Sequence, residues 1–175
     1  AYPHVTRLPA QHRMAPEILA MPNALFYDGA LTCGVHAPTH GSVEVVRVDD
    51  GEEEAWGTSF RNLREAEAVG AYVRAAAEGA GAQAVSIVLL APYAAQCQAL
   101  LAQRTGCEVH TIDSFQGREA DTVLLSLVRD GRTGFGFWED PRRLVVALTR
   151  ARTKLVVVAS RTHEWRDDGP LSPIV

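Results

Sequence analysis

Arginines set among apolar residues are the chemistry-bearing feature of this chain. Residues 142–152, RRLVVALTRAR, place guanidinium groups inside and at both ends of a greasy run. Read as a helix, this run puts Leu144, Leu148 and Ala151 on one face, the usual core stripe. Arg143 and Arg150, seven residues apart, then lie nearly in line on one side. A guanidinium near a core is costly unless a carboxylate or another anion meets it. Arg150 therefore calls for either an internal carboxylate or an anionic ligand, and Arg143 has Glu119 as a candidate partner. Arg13, in LPAQHRMAP, also sits among apolar and prolyl residues. It is either a surface cation or a hidden charge with a partner.

Two further stretches supply polar chemistry. IDSFQGREAD, residues 112–121, separates two apolar runs. Gly117 in its middle permits unusual backbone angles and close approach of a ligand. Ser114, Gln116, Arg118 and Glu119 add donors and an acceptor, although an ordinary polar turn has the same composition. LLAPYAAQ ends an apolar run with Pro92 and Tyr93. The Tyr93 ring either packs or meets a base or sugar. The six histidines are scattered. Cys33, Cys97 and Cys107 lack zinc spacing, which points to reduced thiols in or near the core and to an intracellular setting.

These residues must be positioned by the elements around them. APEILAMPNALFYDGAL reads as short helical pieces framed by two prolines, and residues 32–42 as a loop. VEVVRV (43–48) alternates enough for a strand. SFRNLREAEAVGAYVRAAAEG reads as a helix, with Asn62 as N-cap and Glu65 completing a capping box. VSIVLLAP (85–92) is a continuous apolar strand, as expected where both faces are covered. A helix ending at Gly106 follows, then the short strand CEVHTI and the buried strand TVLLSLVR (122–129). A glycine-rich loop, helix 140–151 and the strand KLVVVAS complete the order. Strands alternating with helices imply an α/β fold, a mainly parallel sheet with helices on both faces. Such sheets bind ligands beyond the carboxyl ends of their strands.

Length and charge bound the function. The 175 residues suffice for one domain with a real core. The net charge of −4 argues against a purely electrostatic nucleic-acid binder. DDGEEE (49–54) reads as a solvated acidic loop. The cations are sixteen arginines and Lys154. Arginine suits bidentate phosphate binding, and a genomic compositional bias produces the same excess. No apolar run reaches membrane-spanning length. The chain starts at Ala1 in what reads as mid-fold sequence, so a fragment of a longer polypeptide is expected. Within it, residues 1–175 form one domain, with 161–175 as a tail.

Five stretches in one order carry a resemblance. LPAQHRMAPEILAMPNALFYDGAL, SFRNLREAEAV, VLLAPYAAQ, VHTIDSFQGREADTVLLSLVR and PRRLVVALTRAR together resemble the second RecA-like domain of superfamily 1B helicases. The most similar branch holds the nonsense-mediated-decay helicase, senataxin and the immunoglobulin-mu-binding helicase. The resemblance covers residues 7–160. It implies a three-layer RecA-like P-loop NTPase fold and an ATP-dependent helicase moving 5′ to 3′ on single-stranded DNA or RNA. ATP and Mg2+ would be held mainly by a first RecA-like domain, consistent with the lack of G-x-x-x-x-G-K-[ST] here. By resemblance, Arg13 and Arg150 reach the γ-phosphate as arginine fingers. Gln11, His12, Gly117 and Glu119 complete the ATP side, with Glu119 near the ribose. Pro92, Tyr93, Thr111 and Ser114 lie towards the nucleic acid. This chain departs from the pattern at His12, where the family usually has Tyr, at Ala91 for Thr, and at Val145 for Asn.

Two functions follow. The first is a motor domain whose parent hydrolyses ATP and which is inactive alone. The second is a helicase-derived module that binds nucleic acid or protein without a working ATPase, favoured by His12, Ala91 and Val145. Retained Arg13, Glu119 and Arg150 favour the motor, because a scaffold has no need of them. A stand-alone phosphate-binding enzyme lacks its own phosphate loop.

Overall fold

The computed structural model describes residues 8–79 and 86–160; the 161–175 tail lies outside them. Its centre is a five-stranded sheet in the order β3-β9-β8-β6-β7. The strands are β3 (Ser42–Val48), β6 (Ile87–Ala91), β7 (Glu108–Thr111), β8 (Ala120–Ser126) and β9 (Ala151–Ser160). All four pairings are parallel. A parallel ladder needs crossovers; α2 (Leu63–Gly79), α3 (Ala94–Ala102) and α4 (Pro141–Leu148) provide three of them and the connector 112–119 the fourth, while α1 (Pro16–Phe26) precedes β3.

The side chains of the continuous apolar strands still alternate between faces, and each face has its own cluster. Leu90, Leu125 and Val157 pack with Ile18 of α1, Leu144 and Leu148 of α4, and Trp138. Leu89, Leu124 and Val156 pack on the other face against Ala66 and Val69 of α2 and Leu100 of α3. The three-layer α/β arrangement is the one expected for a RecA-like domain.

Several elements differ from the sequence reading. α1 is one continuous helix with the buried Pro22 inside it. Pro22 withholds one backbone donor, and burial of Ile18, Leu19 and Pro22 itself holds the turn. The segment 32–42 contains a short strand, β2 (Thr32–Cys33), paired in parallel with β1 (Ala10–Gln11). α3 ends at Ala102 rather than at Gly106. β4 (Glu54–Trp56) and β5 (Ser59–Arg61) form a hairpin where an acidic loop and a helix start were expected. The acidic run is not wholly solvated, because Glu53 makes a buried ion pair with Arg129 at 2.8 Å. Cys33 is exposed rather than near the core, and all three cysteines are free thiols.

Asn62 does cap α2, accepting from Glu65 N at 3.1 Å. Glu65 does not close the box, however. The Asn62 N–H is taken by Gln96 Oε1 at 2.7 Å, so the Glu65 carboxylate turns inward. It accepts from Ser126 Oγ and Val128 N at the end of β8 and from Ser160 N and Oγ at the end of β9. Val128 sits at φ 70°, in the left-handed region that a β-branched residue avoids. The Glu65 acceptor helps hold it there.

Candidate functional site

The arginines converge, at the end of the sheet opposite to the one expected. β8 and β9 begin side by side, with Ala120 opposite Ala151. Glu119 and Arg150 immediately precede these strands. The segment carrying Arg13 docks on the same end, since Ala15 N donates to Arg152 O at 2.9 Å. Arg13, Glu119 and Arg150 therefore gather at the amino ends of the strands.

Arg13 Nε donates to Glu119 Oε2 at 2.7 Å, and its Nη1 to Thr149 O at 3.0 Å. Arg150 does not lie in α4 as expected. The helix stops at Leu148, where Thr149 Oγ1 donates back to Val145 O. Arg150 Nε then caps the Val146 carbonyl at 2.8 Å. Its Nη1 donates to Arg118 O at 3.1 Å and its Nη2 to Thr149 Oγ1 at 2.8 Å. Arg150 is 7% exposed. No carboxylate touches it among the described residues. A guanidinium carries five N–H donors, so one on each terminal nitrogen lacks a partner among the described residues. Burial, and then the Arg13 charge, push its pKa down to about 10, against the pull of Glu119. A site that disfavours its own cation in this way stabilises an incoming anion.

Glu119 pairs with Arg13 and with Arg152, the latter at 3.1 Å. The hydrogen bond from Arg13, followed by the charges of both arginines, holds its carboxyl below the usual range. Arg143 is not its partner; Arg143 lies 3.9 Å from Asp113.

Gln11 turns out to be a local organiser. Its Oε1 accepts from Arg13 N and Met14 N, and its Nε2 donates to Met14 O at 2.8 Å. The amide folds residues 11–14 into the turn that presents Arg13, and its Nε2 also reaches Cys33 Sγ at 3.2 Å. The His12 ring is exposed and lies over Gly34, tilted against His36 at 5.5 Å between centroids. A Cβ on Gly34 would overlap that ring. Gly34→Ala is expected to displace His12; with His12 on the nucleotide side, as the resemblance implies, the KM for ATP would rise about threefold to tenfold, as loss of one aromatic contact does. An unchanged KM would remove His12 from the nucleotide side.

The connector after β7 joins the two ends of the sheet. Thr111 stands at the carboxyl end, opposite Ala91. Ser114 folds back on it, with Ser114 Oγ donating to Thr111 O at 2.9 Å. Arg118 then reaches Glu108 at 2.9 Å, and Phe115 is buried with Val88 and Leu90, so the chain returns across the face of β7 and β6 to Glu119. Gly117, at φ 87°, makes the reversal. The residues expected on the nucleic-acid side therefore lie at the carboxyl end, and those expected on the ATP side at the amino end.

Pro92 is buried and turns the chain, so Tyr93 is the half-buried residue of that pair. The Tyr93 hydroxyl accepts from Phe137 N at 3.2 Å and from Arg129 Nη1 at 3.3 Å. Its ring packs 5.4 Å from Phe60. The sequence reading missed Arg129, whose guanidinium also lies 4.3 Å above Phe60. Its position at the end of an apolar strand was the available signal. It also missed the exposed Trp56, covered on one side by Arg61 at 3.7 Å.

Residues 2–162 match the model of the AAA_12 family, described as an AAA domain. The chain belongs to that family. Within it, the chain is a second RecA-like domain of the superfamily 1B type. It is 36% identical over 179 residues to a regulator of nonsense transcripts 1 homolog of Drosophila melanogaster, covering 88% of this chain and 15% of that protein. It is 34% identical over 180 residues to the ATP-dependent helicase NAM7 of Saccharomyces cerevisiae, covering 88% and 18%. This AAA_12 domain thus spans less than a fifth of the length of these curated relatives. The fold matches the C-terminal domain of a possible DNA helicase from Lactobacillus plantarum WCFS1 with a TM-score of 0.54 at 13% identity, over 86% of this chain and 88% of that one.

Proposed function

We propose that this domain is the second motor domain of an ATP-dependent helicase and supplies Arg13 and Arg150 to ATP held at the face of a first motor domain. The observation that carries this reading is the buried Arg150 guanidinium, which among the described residues has no carboxylate against it and lies beside Arg13 and Glu119. Phosphoryl transfer spreads negative charge over the equatorial oxygens, and catalysis is mainly positioning and electrostatics. Two guanidinium groups fixed on one domain and aimed at a phosphate on another couple domain closure to hydrolysis. Mg2+ belongs to the first domain in this reading. Among the described residues no group of three or more His, Cys, Asp or Glu side chains is placed to hold a metal ion.

Single-stranded nucleic acid runs past the carboxyl ends of β6 and β7, where Thr111, Ser114 and Tyr93 stand. Backbone contacts of this type bind without reading sequence. The net charge of −4 is compatible because the groove is shared with another domain. The connector 112–119 links the two sites physically, which allows nucleotide state and strand grip to influence each other.

The test is nucleic-acid-stimulated ATPase of the full-length protein, with DNA and with RNA. Thr111→Ala and Tyr93→Ala are expected to weaken strand binding about fivefold to fiftyfold, in line with base-stacking and phosphate-contact losses, while nucleotide binding changes little. The reverse order would mean that the two ends of the sheet have exchanged roles.

A further inference from the structure

We propose that Arg152 is a positioning residue for nucleotide binding, keeping the Glu119 carboxylate fixed at the ribose when Arg13 leaves it for the phosphate. This inference rests on the reading of Glu119 as a ribose ligand. The two oxygens of Glu119 are divided between two arginines. Oε2 accepts from Arg13 Nε at 2.7 Å, and Oε1 from Arg152 Nη1 at 3.1 Å. The two arginines are held differently. Arg13 stands on the turn organised by Gln11 and also reaches Thr149 O, beside Arg150. Arg152 is part of β9, and its backbone carbonyl accepts from Ala15 N at 2.9 Å. Its ionic contacts are both with acids at the start of β8. One is Glu119; the other is Asp121, 3.6 Å from the Arg152 Nε. That Nε is buried and makes no hydrogen bond, which leaves the guanidinium aimed between the two acids.

A consequence follows for domain closure. Arg13 cannot serve the γ-phosphate and Glu119 Oε2 with the same Nε–H. Its departure frees Oε2 as an acceptor for a ribose hydroxyl. Arg152 keeps Oε1, so the carboxylate stays ionised and its plane stays put. Without Arg152 the carboxylate has Arg13 as its only ion-pair partner among the described residues. It then competes with the phosphate for that arginine or loses its orientation at the ribose.

The experiment compares ATP with 2′,3′-dideoxy-ATP as substrates of the full-length protein, in the wild type and in Arg152→Ala, Arg152→Lys and Glu119→Gln. The wild type is expected to prefer ATP. Arg152→Ala should lose about fivefold to tenfold of that preference, the size of one ordinary hydrogen bond, through KM for ATP rather than kcat. Arg152→Lys should recover most of it, because a point charge suffices for a single contact. Glu119→Gln should lose the preference as well, and adding Arg152→Ala to it should change nothing more. Full ribose preference in Arg152→Ala beside its loss in Glu119→Gln would overturn the role of Arg152 alone. Full preference in Glu119→Gln would overturn the ribose reading of Glu119 and this inference with it.

Discussion

Replacing Arg150 with alanine is expected to lower ATP turnover of the full-length protein by about 10³- to 10⁵-fold, the range for loss of an arginine finger, while single-strand binding stays near normal. The size of the effect comes from the environment. Arg150 is almost fully removed from water, where an electrostatic contact is worth more than at the surface. Its three satisfied donors, to Val146 O, Arg118 O and Thr149 Oγ1, fix the plane of the guanidinium. The two terminal nitrogens then offer a pre-oriented fork, which costs no reorganisation as charge develops on the phosphate. Arg150→Lys should recover little, because an ammonium cannot cap Val146 O and present a fork together. Thr111 and Tyr93 stand at the other end of the strands, so binding of the single strand should be spared. Steady-state ATPase and fluorescence anisotropy on the same preparations separate the two effects. Turnover near the wild-type rate in Arg150→Ala would refute the assignment.

What the sequence conveyed and what it hid have physical causes. The parallel sheet was legible because VSIVLLAP and TVLLSLVR are apolar on both faces, and that pattern demands cover on both sides. The convergence of Arg13 and Arg150 was expected from the motif resemblance, but its location was not. The general rule for α/β sheets points to carboxyl ends, whereas Ala120 opposite Ala151 puts these groups at the amino ends. Helix 140–151 reads too long from the sequence because residues 144–148 are apolar and nothing local announces a stop. The stop comes from Thr149 and Arg150 themselves, which take the last carbonyls of α4. The β4–β5 hairpin was hidden by DDGEEE, whose charges suggest solvent. In the fold Glu53 meets Arg129, 76 residues away, and this long-range pair is invisible to a local reading. The part Gln11 plays in building the Arg13 turn shows only in the fold, where its amide meets Arg13 N, Met14 N and Met14 O and also Cys33 Sγ.

Glu65 leads to the second large expectation, a stability that falls as pH rises through the weakly acidic range. The residue is 0% exposed. Burial pushes its carboxyl up from 4.5 to about 7, against the pull of the donors from Ser126, Val128 and Ser160. In the unfolded chain the carboxyl ionises near 4.5, while the folded protein keeps its proton to about 7. Below the lower value both forms are protonated and the contribution is complete. Between the two values the folded state binds more protons, so stability declines with pH, and above the upper one it levels off. The total decline is about 3 kcal/mol, a large part of a typical domain's stability. Glu44, Glu108, Glu119, Asp130 and Asp140 are shifted down, so their contributions are lost only at lower pH, outside this window. Glu65→Gln removes the titration but points an amide N–H at a backbone N–H of Val128 or Ser160. One buried donor left unsatisfied costs about 1–3 kcal/mol. The variant should therefore be less stable at the acid end and flat across the window, as read from urea midpoints at several pH values. A wild-type midpoint that rises across this range, or a variant with the wild-type slope, would contradict the account. Val128, held at its strained angle by this carboxylate, precedes Arg129 and thus the Tyr93 hydroxyl. The same substitution should loosen the end of β8 beside the proposed strand-binding edge.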